Sequence, residues 1–258
     1  MILPSELLLK TFSFIFLIIL FVWIERVKFL HSQKIFRIGF QTDVINIIVN
    51  GLGVDLIIKL IALSILWFYP DISHFFGLSL FEGYSLTVQF FILVFVSDFI
   101  GYFLHWSMHR FHFLWKLHEA HHSIEYMDWA GAFRNHVFGQ LYLNTFGAGS
   151  LFLLGFSPEV YFYKFFLDLF WTMFVHSNVR FRFGWLNYIF ITPQMHHWHH
   201  TPDQQRKYMN LGVKFSFFDW AFRTAYLDDL PPKKFGLGYF FPVDYIGQQA
   251  YLFKPKCP

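Results

Sequence analysis

The chain has 258 residues, of which 55% are hydrophobic, 14% are charged and 39 are phenylalanine. Soluble domains carry about 25% charged residues, so this composition, with a mean hydropathy of +0.41, excludes a disordered chain and argues for a surrounding that is partly lipid. A net charge of +3 gives no basis for a nucleic-acid partner, and the single cysteine, Cys257, cannot form an internal disulfide, a four-cysteine zinc site or an iron–sulfur cluster.

Residues 11–23 are almost wholly apolar and are extended by residues 7–9 and 27–30. That is long enough to span about 30 Å of hydrocarbon. With no basic leader and no small-residue cleavage site, the segment reads as an anchor that stays in place. Residues 44–69 form a second span with polar interruptions, Asn46 with Asn50 and Asp55 with Lys59. Each pair is four apart and shares a helix face. Such residues read first as packing between helices and second as a substrate or proton path.

Residues 86–104 form a third span that runs into the first histidines. Residues 137–156 and 160–175 look like an apolar hairpin, turning near Gly155, Ser157 and Pro158 and carrying Lys164 and Asp168. Basic residues cluster at Arg26, Lys28, Lys34 and Arg37, and again at Arg110, Lys116, Arg134, Arg180 and Arg182. By the positive-inside tendency the N-terminus is expected outside, and the histidine-rich region and C-terminus in the cytosol. The reading is an all-α, polytopic membrane protein with about 4–5 membrane helices. Residues 1–85 are expected to hold N-terminal membrane helices, 86–226 the catalytic region and 227–258 a tail.

Of 14 histidines, 12 lie between His105 and His200. His105 and His109 are spaced H-x3-H, while His118, His121 and His122, and His196, His199 and His200, are each spaced H-x2-H-H. On a helix these spacings aim two or three imidazoles at one point. Several imidazoles converging without a metal would repel once protonated, whereas the neutral ring is a good ligand for iron, zinc, copper or nickel. One ion takes about four to six ligands, so the boxes suit two ions better than one. His112, His136 and His197 fall outside this spacing and stay open as ligands. His118-Glu119-Ala120-His121-His122 also fits H-E-x-x-H, the pattern of a zinc peptidase with Glu119 as general base. A metal transporter or sensor is a third class.

The text around the boxes resembles the fatty acid hydroxylase / sterol desaturase superfamily of membrane di-iron enzymes. The resemblance covers roughly residues 98–226. It is carried by Asp98-Phe99 and Tyr102 before the first box, and by Leu114-Trp115-Lys116-Leu117-His118 leading into His121-His122-Ser123. Glu125, Arg134 and His136 follow, then Phe174-Val175-His176-Ser177-Asn178 and Thr192-Pro193-Gln194. Asn210, Gly212 and Phe218-Asp219-Trp220-Ala221-Phe222 close it. Trp106, Val137, Leu211 and Arg223 depart from the family pattern, but no box histidine is lost.

The resemblance implies membrane helices carrying a cytosolic cap, with two iron ions held by His105, His109, His118, His121, His122, His176, His196, His199 and His200. It implies O2-dependent hydroxylation, or desaturation, at an unactivated C–H bond of a membrane lipid. Asp98, seven residues before His105, is a candidate to orient an imidazole, with Glu125, Asp128 and Asp219 behind it. No haem, flavin or iron–sulfur pattern is evident, so electrons are expected from a separate ferredoxin, cytochrome b5 or reductase. Arg206, Lys207, Lys233 and Lys234 are available to dock one. A bacterial inner membrane and the endoplasmic reticulum both fit. Sterol, fatty acyl, ether lipid, carotenoid and aminolipid substrates all remain open.

Overall fold

The computed structural model describes residues 4–54, 56–58, 60, 64, 80–81, 83–152, 154–203 and 205–254. These are helical apart from loops and two isolated β-bridges, Phe29 with Val179 and Phe190 with Phe215. Among them, three helices are long and apolar enough to cross a membrane: Leu7–Val27, Phe40–Ile58 and Leu86–Arg110.

Helix α1, Pro4–Val27, shows why the first span needs lipid. Phe12, Phe16, Ile19 and Trp23 recur at helical spacing, and each is more than 60% exposed. A water-facing helix would carry polar residues there. The opposite face buries Leu17 and Phe21 against Leu169, Met173, Trp129 and Ala130; full burial of such a side chain stabilises by about 1.5–3 kcal/mol.

Helix α2, Phe40–Ile48, starts after Gly39 and runs on in wider π-type turns over Val49–Val54. Gly39 has φ +82°, and a Cβ there would stand 2.7 Å from an Arg134 guanidinium nitrogen, so glycine is required twice over. Asn50 donates to Asn46 Oδ1 at 3.0 Å and to the Asn135 carbonyl at 3.1 Å, the helix-packing role expected of this pair. Asp55 and Lys59 lie outside the described residues.

Ser85 caps helix α3, Leu86–Arg110, by accepting from Val88 N. Extended backbone at Phe111 breaks it, and helix α4, His112–His122, starts at once. Box one therefore sits on the last turns of α3 and box two on the helix around the corner.

The expected hairpin is present but irregular. Helix α5, Val137–Leu143, continues through wide turns over Asn144–Ala148 into the short Gly149–Phe152. Helix α6, Pro158–His176, opens on a proline whose missing N–H costs nothing in a first turn. Ser157 N donates to Gln89 Oε1 at 2.8 Å, so the hairpin turns beside the first residues of α3. Leu93 packs there with Leu151, Phe156 and Val160. The return helix ends at His176, where α3 also ends among histidines. Helix α7, Pro193–His199, carries box three, and the short helices α8, Phe217–Phe222, and α9, Tyr245–Ala250, follow.

Two ion networks, one buried and one part-exposed at Asp168, tie distant segments of the chain together. Arg37 pairs with Asp43 at 2.7 Å and with Asp128, and Arg134 Nε pairs with Asp43 at 2.6 Å. Lys214 pairs with Asp168 at 2.7 Å, and Asp168 also holds Lys164 of its own helix. Breaking a buried pair by removing one partner costs about 3–5 kcal/mol, because the other charge is stranded.

Candidate metal centre

Among the described residues, nine histidines gather into two groups. His105, His109, His118, His122 and His199 form one; His121, His176, His196 and His200 form the other, and in each the ligand atoms lie within 4.8 Å of one another. All nine were singled out from the sequence. Except for half-buried His105, all are buried. The groups adjoin: the His122 and His200 rings stack with centroids 4.5 Å apart, and His118 and His121 stack at 5.1 Å.

The spacing within each group is that of ligands around an ion. His105 Nε2 lies 3.1 Å from His118 Nε2, 3.2 Å from His109 Nε2 and 3.1 Å from His199 Nε2. His176 Nε2 lies 3.1 Å from His121 Nε2 and 3.0 Å from His196 Nε2, and His200 Nε2 is 3.0 Å from His196 Nε2. Two nitrogens each about 2.1 Å from one ion, at octahedral to tetrahedral angles, stand about 3.0–3.4 Å apart.

The outer nitrogens explain how the rings are aimed. Nδ1–H of His105 donates to the Leu211 carbonyl at 2.8 Å, that of His121 to Arg134 at 3.0 Å, that of His176 to Thr172 at 2.8 Å and that of His199 to Met209 at 2.7 Å. Each bond fixes the tautomer and turns the Nε2 lone pair inward. Burial first, and the neighbouring rings second, hold His118, His122, His196 and His200 well below the usual imidazole range. For His121 and His199 the same burial and crowding outweigh the opposing carbonyl bond. Neutral rings facing lone pair to lone pair are unsatisfied, and His122 Nε2 is buried with no hydrogen-bond partner. A cation removes both penalties, so the donor set fits metal.

Asp98 plays a different part from the expected one. Its oxygens accept from Lys214 N at 2.8 Å and Phe215 N at 2.9 Å, so it holds a backbone segment and orients no ring directly. Asp219 grips the same segment through Leu211 N at 2.7 Å and Gly212 N at 2.8 Å, and also accepts from the Thr224 hydroxyl at 2.6 Å. Burial pushes its carboxyl up to about 6 against these bonds. Asp219 thus holds the amide of Leu211, the residue whose carbonyl accepts from His105. Asp128 accepts from the Arg37 guanidinium and from Ala130 N and Gly131 N.

Three histidines stand outside the groups. His136 caps α5 through Nδ1, and its Nε2 donates to the Gln249 carbonyl at 3.0 Å. His197 is buried beside Phe235, and burial pushes it down to about 3. His112 belongs to neither group. Glu119 accepts from the Tyr239 hydroxyl at 2.9 Å. The peptidase reading needs it beside the ion, whereas it faces the C-terminal tail. That tail also wraps box three, with Gly236 N donating to the His200 carbonyl at 3.1 Å.

The chain is similar to six curated proteins, of which three follow by name. It is 28% identical to an ornithine lipid hydroxylase of Rhizobium tropici over 59% of this chain and 45% of that protein. It is 29% identical to an alkylglycerol monooxygenase of Caenorhabditis elegans over 54% of this chain and 28% of the relative. It is 32% identical to a sphingolipid C4-hydroxylase of Schizosaccharomyces pombe over 56% and 49%. The matched stretch therefore spans half or less of each relative. No solved structure matches the chain significantly. The fatty acid hydroxylase family model matches residues 90–224, just over half of the chain, from the third span through the last carboxylate clamp, and the chain belongs to that family.

Proposed function

We propose that the chain is an O2-dependent di-iron hydroxylase acting on an unactivated C–H bond of a membrane lipid. The observation that carries this reading is the division of nine imidazoles into adjoining groups of five and four at ligand spacing. His105, His109, His118, His122 and His199 would hold one iron, and His121, His176, His196 and His200 the other. Bound iron supplies O2 activation and the removal of hydrogen from an alkyl carbon, chemistry that no side chain has.

The protein's own share is positioning and dryness. Four backbone carbonyls keep Nε2 lone pairs inward. Burial of the rings excludes the water that would compete with the lipid. The overall balance is RH + O2 + 2e− + 2H+ → ROH + H2O, with the electrons from a separate donor protein. Three relatives named as a hydroxylase or monooxygenase of lipids favour hydroxylation over desaturation. Their named lipids differ, so what they share is a lipid substrate.

α1 ends, α2 begins and α3 ends beside the histidine groups, which fits three crossings with the metal end on one side. The α5–α6 hairpin, turning level with the start of α3, supplies two further segments, for five in all. The Arg26–Arg37 basic cluster supports a cytosolic metal end.

The test is lipid mass spectrometry of cells with and without the gene, grown under 16O2 or 18O2. A product heavier by 16 or 18 mass units respectively is expected. A loss of 2 mass units would reassign the chain as a desaturase. Products independent of O2, or stoichiometric zinc after iron-replete expression with misloading excluded, would overturn the reading.

A further inference from the structure

Trp115 lies between the five-imidazole group and the surface. Its ring centroid is 5.2 Å from that of His109 and 5.2 Å from that of His122. The side chain is half-buried, and the Lys207 ammonium sits over the indole, 3.4 Å from its centroid. Lys207 also lies 5.7 Å from the ring of Tyr208, which is 47% exposed and 6.5 Å from the His109 ring. Lys116, next in sequence to Trp115, donates to the Leu252 and Lys254 carbonyls, which brings Lys254 to the same neighbourhood. Exposed Arg110 directly follows His109. The nearest carboxylate on α4, Glu119, is buried and held by Tyr239. Apart from exposed Asp203, which pairs with Arg206 at 3.8 Å, the side chains over this group are cationic and aromatic.

We propose that Lys207, Tyr208 and Trp115 form the docking face for an acidic one-electron donor protein, with Trp115 bridging the donor to His109 and His122. This rests on the redox reading above. Positive charge around the rim would steer an acidic partner and set its encounter rate. The indole would fill the gap to the ligand rings with conjugated matter, where tunnelling would otherwise cross loosely packed space. Each docking event oxidises the donor by one electron, and two events supply the pair in the balance above.

The test uses the full chain in lipid nanodiscs and two acidic probes, the soluble domain of a cytochrome b5 and a [2Fe–2S] ferredoxin. Binding to metal-free protein is measured at low and high salt. At least one probe should bind with affinity that falls as salt rises. Lys207→Glu should weaken it about tenfold, while Lys207→Arg restores it. Lys233→Glu with Lys234→Glu, a larger charge change on the tail, should alter it less than about twofold. In iron-loaded protein, Trp115→Phe should slow reduction at saturating donor while leaving reduction by dithionite unchanged. Binding by neither probe, an equal loss from the tail pair, or a parallel loss of dithionite reduction would overturn the proposal. Failure of wild type to incorporate 18O with dithionite and O2 would instead sink the redox reading.

Discussion

Acidification of the metal-free protein should unfold it steeply. Seven buried rings outside α3 and α6, those of His118, His121, His122, His196, His197, His199 and His200, are held below the ordinary value near 6.5, chiefly by burial. Below that pH the unfolded chain binds protons that the folded chain refuses. Stability therefore falls as pH falls, by about 1.4 kcal/mol per ring per unit. At pH 5.5 seven rings together cost roughly 10 kcal/mol, comparable with the entire stability of a typical domain of about 5–15 kcal/mol. The assay is denaturant unfolding in detergent at pH 7.5, 6.5 and 5.5, followed by tryptophan fluorescence and near-UV circular dichroism. The pH slope should steepen from under one proton at pH 7.5 to about six at pH 5.5, and added iron(II) should move the transition to lower pH. Uptake of fewer than about three protons would show that the rings are already protonated or wet in the fold, and the argument for a dry ligand set would fail.

Three substitutions probe the supports. Gly212→Ala places a Cβ 2.6 Å from the Phe215 carbonyl and 2.7 Å from Asp219 Oδ2; a stability loss of about 1–3 kcal/mol is expected, with lower metal content by elemental analysis. Asp43→Asn strands Arg134 and leaves Arg37 with Asp128 alone, and a loss of about 3–5 kcal/mol is expected in denaturant titration; a loss under 1 kcal/mol would mean the Arg134 guanidinium finds another partner. Glu119→Gln should keep O2-dependent turnover and metal content, whereas abolition of activity by this change alone would favour the peptidase reading.

Eight of the nine ligating candidates are legible because helical spacing shows which imidazoles share a face. His176 stands alone in its helix and was reached only through the surrounding family-like text. What aims the rings was hidden for a plain reason: the acceptors at Leu211, Arg134, Thr172 and Met209 are main-chain atoms, and no side-chain pattern encodes them. Asp98 stood out by its place seven residues before His105, but its partners lie at Lys214 and Phe215, beyond the reach of local periodicity. The Arg37–Asp43–Arg134–Asp128 network joins residues up to 91 positions apart, so its members read only as scattered charges. The hairpin was visible as two apolar runs, but its wide turns were not, since glycines such as Gly147 and Gly149 permit them without requiring them.

No codon change can delete a carbonyl. The grips on His121, His176 and His199 thus survive drift at positions 134, 172 and 209 as long as the chain follows the same path. Mutational sensitivity should concentrate instead where the path itself is fixed, at Asn210 with its left-handed φ of 55° and at Gly212. Related chains could accordingly diverge widely in the wrapping of this centre while keeping its interior geometry unchanged.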